Sequence, residues 1–160
     1  IDKLMFLKKE IPFNELFLLE LDSIKGDDTN GHVDNMVRFI DDENLVYLAS
    51  TDKSYVNYDL AKELKNQLES IKKKSKIIKD IYPIFHDDRD TLYKDNKYYP
   101  YSKLNFIITS NCIIFPSITN NNISIIDSLN DLPIRKIKYN INCEASLIEC
   151  GGLHCLSMNI

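Results

Sequence analysis

The feature that most limits the fold of this chain is an amphipathic helix placed between apolar segments. Residues 57–74 carry apolar side chains at intervals of three to four residues, which places them on one face of a helix. Asn57 or Asp59 can cap the start of this helix, and a run of lysines lies at its end, where positive charge suits the helix dipole. The apolar positions are Leu60, Leu64, Leu68 and Ile71. The pattern predicts a helix with this face packed on the core.

The apolar segments around the helix predict a ββαβ module. Residues 33–40 and 45–49 are apolar enough to form two strands, and the polar run at 41–44 is typical of the hairpin turn between them. After the helix, residues 77–85 indicate a third strand, which Pro83 restricts to the edge or the end of a sheet. Strand, strand, helix and strand therefore follow one another in this part of the chain.

A second unit of similar plan is predicted farther along the chain. Residues 103–109 and 112–115 indicate strands joined by a two-residue hairpin turn. A short helix is expected at 123–129, followed by another strand at 134–139. Two modules of similar plan form a weak internal repeat, and the fold class is α/β.

Three further segments complete the prediction of local structure. Residues 86–102 are polar and rich in tyrosine, and we expect a long surface loop there, with His86 exposed to solvent. Apolar residues at 17–21 predict a buried strand. Residues 143–149 are expected to form a short helix that leads into a glycine turn.

A histidine and a carboxylate lie two residues apart just after a glycine, at Gly31, His32 and Asp34. In an extended backbone, residues at this spacing point to the same face, whereas in a helix they do not face each other. Turn-forming residues precede the pair and apolar residues follow it. We therefore expect a loop that runs into a strand or a short turn, with a polar pair at its start. A turn held only by local side-chain hydrogen bonds fits the same residues equally well.

A cysteine follows a glycine pair near the end of the chain. Gly151 and Gly152 allow unusual backbone angles and close approach of a ligand, and they precede Leu153, His154 and Cys155. A cysteine directly after such a turn is a possible exposed nucleophile. The alternative is a buried and inert thiol, which is the commoner fate of a free cysteine. We interpret His154 as structural support for the turn.

The two motifs together resemble those of agmatine deiminases and the related bacterial, Porphyromonas-type peptidylarginine deiminases. The similarity lies in Gly-His-x-Asp-Asn-x-x-x-Phe at residues 31–39 and in Gly-x-Leu-His-Cys at residues 151–155. The segments Leu-Asn-Phe at 104–106 and Ile-Phe-Pro at 114–116 are also similar to that family. The resemblance implies a five-bladed α/β propeller of ββαβ modules, of the guanidino-group-modifying superfamily. Residues 1–160 would be a single domain, the C-terminal part of such a propeller, truncated at both ends.

The resemblance also implies a role for each residue of the motifs. Cys155 would be the nucleophile, His32 the general acid and base, and Asp34 a ligand of the guanidinium group. These residue types suit the hydrolysis of a guanidinium, which needs a carboxylate in the plane of its N–H groups, a thiolate facing its carbon and a group that transfers protons. The expected reaction is deimination of agmatine to N-carbamoylputrescine and ammonia, in putrescine and polyamine biosynthesis.

Two other functions remain open from the sequence. The same chemistry on peptidyl-arginine or free arginine is one, and a non-catalytic remnant that binds a partner half is the other. The family supplies a second guanidinium-binding aspartate from its first half, and no segment here matches it. We therefore expect this chain to be unstable or inactive on its own, and its partners to be a guanidino substrate and either a second copy or a missing N-terminal half.

A metal site was weighed as an alternative use of the motif residues. Cys150, His154, Cys155, His32 and Asp34 offer suitable ligand atoms. However, a Cys-x4-Cys spacing is unusual for zinc and no second close pair is present. We expect no metal. No phosphate-binding glycine loop is present in the sequence, so we expect no nucleotide cofactor.

Composition sets limits on partners and location. The net charge of −4 argues against a nucleic-acid binder, and no apolar run approaches the roughly 18 residues of a membrane span. No export signal is visible at the first residues. Cysteines 112, 143 and 150 are interpreted as core or incidental thiols, which are expected to stay reduced in the cytoplasm.

Overall fold

The structure is a computed structural model, and the predicted helix at 123–129 and Cys150 lie outside the residues it describes. The described residues are 10–11, 13–27, 31–118, 132, 134–149 and 151–157.

The first module has the predicted ββαβ order. Strands β1 (Val37–Phe39) and β2 (Asn44–Ala49) form an antiparallel hairpin. Helix α1 (Tyr58–Lys74) then leads to strand β3 (Asp80–Phe85), which pairs with β2 in parallel. The sheet order is β1-β2-β3, so β3 is an edge strand, as Pro83 predicted.

Helix α1 packs its apolar face on the first sheet. Leu64 and Leu68 are buried, and so are Val46 and Leu48 of β2, while the two ends of the predicted stripe are only partly buried. Burying each of these side chains contributes about 1.5–3 kcal/mol. The predicted cap is wrong for Asn57, because its side chain accepts a hydrogen bond from the backbone N–H of Lys25 at 2.7 Å instead of capping the helix.

The second module keeps its predicted strands with shifted ends. Strand β6 (Ile107–Ile108) and strand β7 (Cys112–Ser117) form an antiparallel hairpin, and strand β8 (Ile137–Asn142) pairs with β7 in parallel. Residues 103–106, predicted as part of a strand, form none, and the short helix α2 (Glu144–Ile148) follows β8 as expected. The ring of Phe106 packs against that of Phe115 with centroids 5.2 Å apart, which joins this sheet to the main core.

The segment predicted as a long surface loop is folded. It contains a short 3-10 turn (Asp88–Asp90) and a hairpin of β4 (Leu92–Lys94) and β5 (Lys97–Tyr99). His86 is only 2% exposed, so its predicted solvent exposure is wrong. The ring is buried because both of its nitrogens have hydrogen-bond partners, as shown by its contacts with Ile84 O and with the N–H of Lys103.

The predicted buried strand at 17–21 is also wrong. These residues are extended without a strand partner in the described part of the chain, and Leu18 is 61% exposed. The side chain of Gln67 on α1 supplies the hydrogen bonds instead. Its amide accepts from Glu20 N–H at 3.0 Å and donates to Glu20 O at 2.8 Å.

The described elements form an α/β arrangement with three small sheets. A second, smaller core lies beneath β4 and α2 and contains Leu92, Tyr101, Ile118, Cys143 and Leu147. In the described residues, no helix combines the length and apolar character needed to cross a bilayer.

Candidate active site

The first motif forms a turn at the entrance to β1. His32 has extended backbone angles (φ −78°, ψ 99°) and precedes a 3-10 turn, Val33–Asn35. The strand therefore begins at Val37 and not at residue 33, and the short turn is the alternative that occurs. His32 Nδ1 lies 3.9 Å from Asp34 Oδ1, so the two side chains do face each other.

The second motif brings Cys155 to this turn. Its Sγ lies 3.8 Å from Asp34 Oδ2, although the two residues are 121 positions apart. The ligand atoms of His32, Asp34 and Cys155 all lie within 4.8 Å of one another. Cys155 is exposed, so the thiol is accessible and not enclosed in a core.

His154 contacts the same carboxylate. Its Nδ1 lies 2.8 Å from Asp34 Oδ2, on the oxygen opposite to the one that faces His32. The two histidines therefore approach the carboxylate from different sides. Its position fixes the orientation of the carboxylate toward the pocket, because a carboxylate with a short charge-assisted contact loses rotational freedom.

Asn105 joins the two motifs and was not singled out from the sequence as a site residue. Its Nδ2 lies 3.2 Å from Asp34 Oδ2 and 3.5 Å from Cys155 Sγ. Its Oδ1 accepts the N–H of His154 at 2.7 Å. A Cβ added at Gly152 would lie 2.3 Å from this Oδ1, which gives the glycine a steric reason. The only signal in the sequence was the Leu-Asn-Phe segment that resembles the family.

Arg38 holds the segment that carries Asn105. Its guanidinium donates to the carbonyl oxygens of Leu104 and Phe106, on either side of Asn105, and stacks over the Phe106 ring 4.4 Å from the centroid. Burial lowers the pKa of Arg38, and negative charge at Asp34 and Cys155 opposes that change. The arginine stays charged because its ordinary pKa is so high.

A small cavity lies beside the cluster. Its volume is about 50 Å³, and its lining includes Asp27, His32, Asn105, Cys155 and Tyr99. This is far smaller than the roughly 300–1,000 Å³ pockets that hold drug-sized ligands. Its size suits a compact planar group next to the thiol.

The sequence profile of the family described as Porphyromonas-type peptidyl-arginine deiminase matches residues 5–160. The chain belongs to this family. No protein among the curated sequences matches the chain.

Solved structures of deiminases share the fold of this family member. A candidate peptidyl-arginine deiminase matches with a TM-score of 0.86 and 25% identity, over 99% of this chain and 47% of its own. The agmatine deiminase of C. jejuni matches with a TM-score of 0.78 and 23% identity, over 96% of this chain and 44% of its own. The same enzyme with substrate bound gives 0.76 and 24%, over 94% and 43%. The chain thus spans less than half of each of these structures.

Proposed function

We propose that this chain carries the catalytic residues of a guanidino-group hydrolase. The observation that supports this most strongly is the meeting of a thiol, an imidazole and a carboxylate within 4.8 Å. They come from opposite ends of a chain that belongs to a deiminase family. A thiol beside a proton-transferring group and a carboxylate is the arrangement that covalent hydrolysis of a guanidinium requires.

In the proposed reaction, Asp34 binds the N–H edge of the guanidinium and Cys155 Sγ attacks its carbon. An S–C bond forms, His32 donates a proton to the leaving nitrogen, and the C–N bond breaks to release ammonia. His32 then accepts a proton from water as the water oxygen bonds to the same carbon. Cleavage of the S–C bond restores the thiolate and leaves a ureido product. The Nδ2–H of Asn105 near the sulfur stabilises its negative charge.

We propose agmatine as the substrate, with N-carbamoylputrescine and ammonia as products and putrescine biosynthesis as the setting. The agmatine deiminases among the structural matches support this choice. Peptidyl-arginine is the second candidate, favoured by the description of the family. A reducing, cytoplasmic location is proposed because the three described cysteines are free thiols.

We also propose that the two modules are part of a five-bladed propeller. The relatives are about twice as long as this chain, and a closed propeller needs further modules. Those modules would supply the second carboxylate for the guanidinium, either from a partner half or from a longer protein. A second copy of the chain is the alternative partner. Residues 1–160 alone are therefore expected to be inactive.

The first experiment measures ammonia release from agmatine, free arginine and a peptide with an internal arginine. It uses the chain alone and the chain mixed with an N-terminal half taken from a family member. Activity is expected only in the mixture, and Cys155→Ala should abolish it while Cys112→Ala leaves it intact. Turnover that survives in Cys155→Ala would remove the nucleophile assignment.

A second experiment tests the site in the chain alone. Chloroacetamidine carries a cationic amidinium like the substrate, and chloroacetamide is its neutral counterpart. The ratio of their alkylation rates at Cys155 is expected to fall about ten-fold in Asp34→Asn, because one charge-assisted hydrogen bond is worth about 1.5–3 kcal/mol. Cys112→Ala is the matched control. An unchanged ratio in Asp34→Asn would refute recognition of the guanidinium by this carboxylate.

A further inference from the structure

Three donor atoms of different chemistry converge at the candidate active site. His32 Nδ1 lies 3.9 Å from Asp34 Oδ1, and Cys155 Sγ lies 3.8 Å from Asp34 Oδ2. Ligands about 2.0–2.3 Å from a tetrahedral zinc ion lie about 3.3–3.6 Å from one another. All three ligand atoms here are within 4.8 Å, so closing around an ion needs movements of only about 1 Å. The His32 side chain is 42% exposed and can supply that movement by rotation.

The donor types select a class of ion. A thiolate, an imidazole and a carboxylate suit zinc and similar transition metals, whereas magnesium and calcium prefer oxygen ligands. Three protein ligands leave a fourth position for water, as in open zinc sites. The Cys-x4-Cys spacing argued only against a closed structural site, and the geometry here is of the open kind.

The carboxylate is already oriented for such a role. Asp34 Oδ2 is in contact with His154 Nδ1 at 2.8 Å and with Asn105 Nδ2 at 3.2 Å, and the other oxygen faces His32. Carboxylates that bind metals are usually held by hydrogen bonds of this kind. The same contacts reduce the entropy that would be lost when an ion binds.

We propose that His32, Asp34 and Cys155 form a reversible binding site for zinc or a similar soft divalent ion, and that occupancy blocks the hydrolase reaction. The ion displaces the thiol proton, so each binding event forms one metal–sulfur bond and releases one proton. Affinity consequently rises with pH. Metal and guanidino substrate exclude each other because both use the lone pairs of the same atoms. Only the blocking of catalysis rests on the proposed function; the binding of the ion does not.

Cobalt binding to a tag-free chain tests the site without any activity measurement. Co²⁺ is expected to produce a sulfur-to-cobalt absorption band that zinc abolishes. Cys155→Ala should remove the band, and His32→Ala and Asp34→Asn should each weaken binding by about ten-fold or more, as loss of a ligand does at least what loss of its hydrogen-bond partner does. Cys112→Ala, with a thiol outside the cluster, should bind as the unaltered chain does. A circular dichroism spectrum confirms that each variant is folded.

Protection of the thiol gives an independent measurement. Zinc is expected to slow alkylation of Cys155 by iodoacetamide about ten-fold or more in the unaltered chain, a chelator should restore the rate, and magnesium should have no effect. A missing cobalt band, or a band and protection that persist in Asp34→Asn, would overturn the metal site. The two proposals fail separately: metal binding without deimination in the complemented enzyme refutes only the hydrolase, and zinc-insensitive deimination refutes only this inference.

Discussion

Acid should destabilise this protein through His86, which is buried in its neutral form. The N–H of Lys103 donates to its Nε2 at 3.0 Å, so the ring proton is on Nδ1, which donates to Ile84 O at 2.9 Å. Tyr55 stacks on the ring at 5.7 Å. Burial first, and then the Lys103 ammonium, lower the pKa of His86 from 6.5 to about 3, against a weaker opposing effect of Asp87.

The sign and size of the effect follow from the lowered pKa. In the unfolded chain the imidazole takes up a proton as the pH falls below about 6.5, whereas in the folded chain it stays neutral until about pH 3. The stabilising effect is therefore complete above the unfolded pKa and is lost as the pH falls toward the folded pKa. One proton taken up on unfolding costs about 1.36 kcal/mol per pH unit, which amounts to about 2 kcal/mol between pH 7 and pH 5.

Urea unfolding at pH 7 and pH 5 measures this difference, with His86→Gln as the reference variant. A glutamine oxygen can accept the Lys103 N–H, but it does not titrate. All carboxylates and the other two histidines are common to both proteins, so their contributions cancel in the comparison. The unaltered chain should lose about 2 kcal/mol more free energy of unfolding than His86→Gln between the two pH values. Equal losses in the two proteins would show that His86 is not buried and neutral.

Two further substitutions test the packing of polar groups. Gly152→Ala should displace the cysteine turn, because its Cβ would lie 2.3 Å from Asn105 Oδ1; we expect alkylation of the site thiol to change about ten-fold with little change in melting temperature, and an unchanged rate would contradict the clamp. Lys103→Met leaves Asp90, 2.7 Å from the ammonium, buried without its ion partner, and should cost about 3–5 kcal/mol in urea unfolding. Adding Asp90→Asn should recover part of that loss, and no recovery would argue against a direct ion pair.

The first module was predictable because its signals are local. A stripe such as Leu64 and Leu68 recurs at helix spacing, and the polar run before β2 is a turn signal that needs no distant partner. The helix cap failed for the opposite reason. Asn57 can cap a helix, but a backbone N–H from Lys25, 32 positions away, takes its oxygen in the fold.

The segment 86–102 was wrongly predicted because its polar residues find one another. His86, Asp90 and Lys103 are each at most 3% exposed, and composition alone places such residues at the surface. Burial becomes favourable only when the partners are present, through the His86–Lys103 hydrogen bond and the Asp90–Lys103 ion pair. Those partners are separated by up to 17 positions, beyond the reach of any local pattern.

The candidate site divides in the same way. His32, Asp34 and Cys155 carry reactive groups, so their types alone suggested chemistry, although their distances depended on the fold. Asn105 and Arg38 have no reactivity that would mark them in a sequence. Their position between the two motifs became visible only through contacts 50 and 66 or more positions apart in the chain.

A guanidinium and a metal ion make opposite demands on the same three groups. The planar cation needs acceptors spread around the N–H groups at its edge and a sulfur above its face. The ion needs lone pairs that converge on one point. Only one carboxylate, Asp34, lies within the cluster that the ligand-atom distances define in the described residues. A second carboxylate from the rest of the propeller would add a second in-plane acceptor and favour the guanidinium over zinc, so zinc should inhibit the complemented enzyme less strongly than it binds residues 1–160 alone.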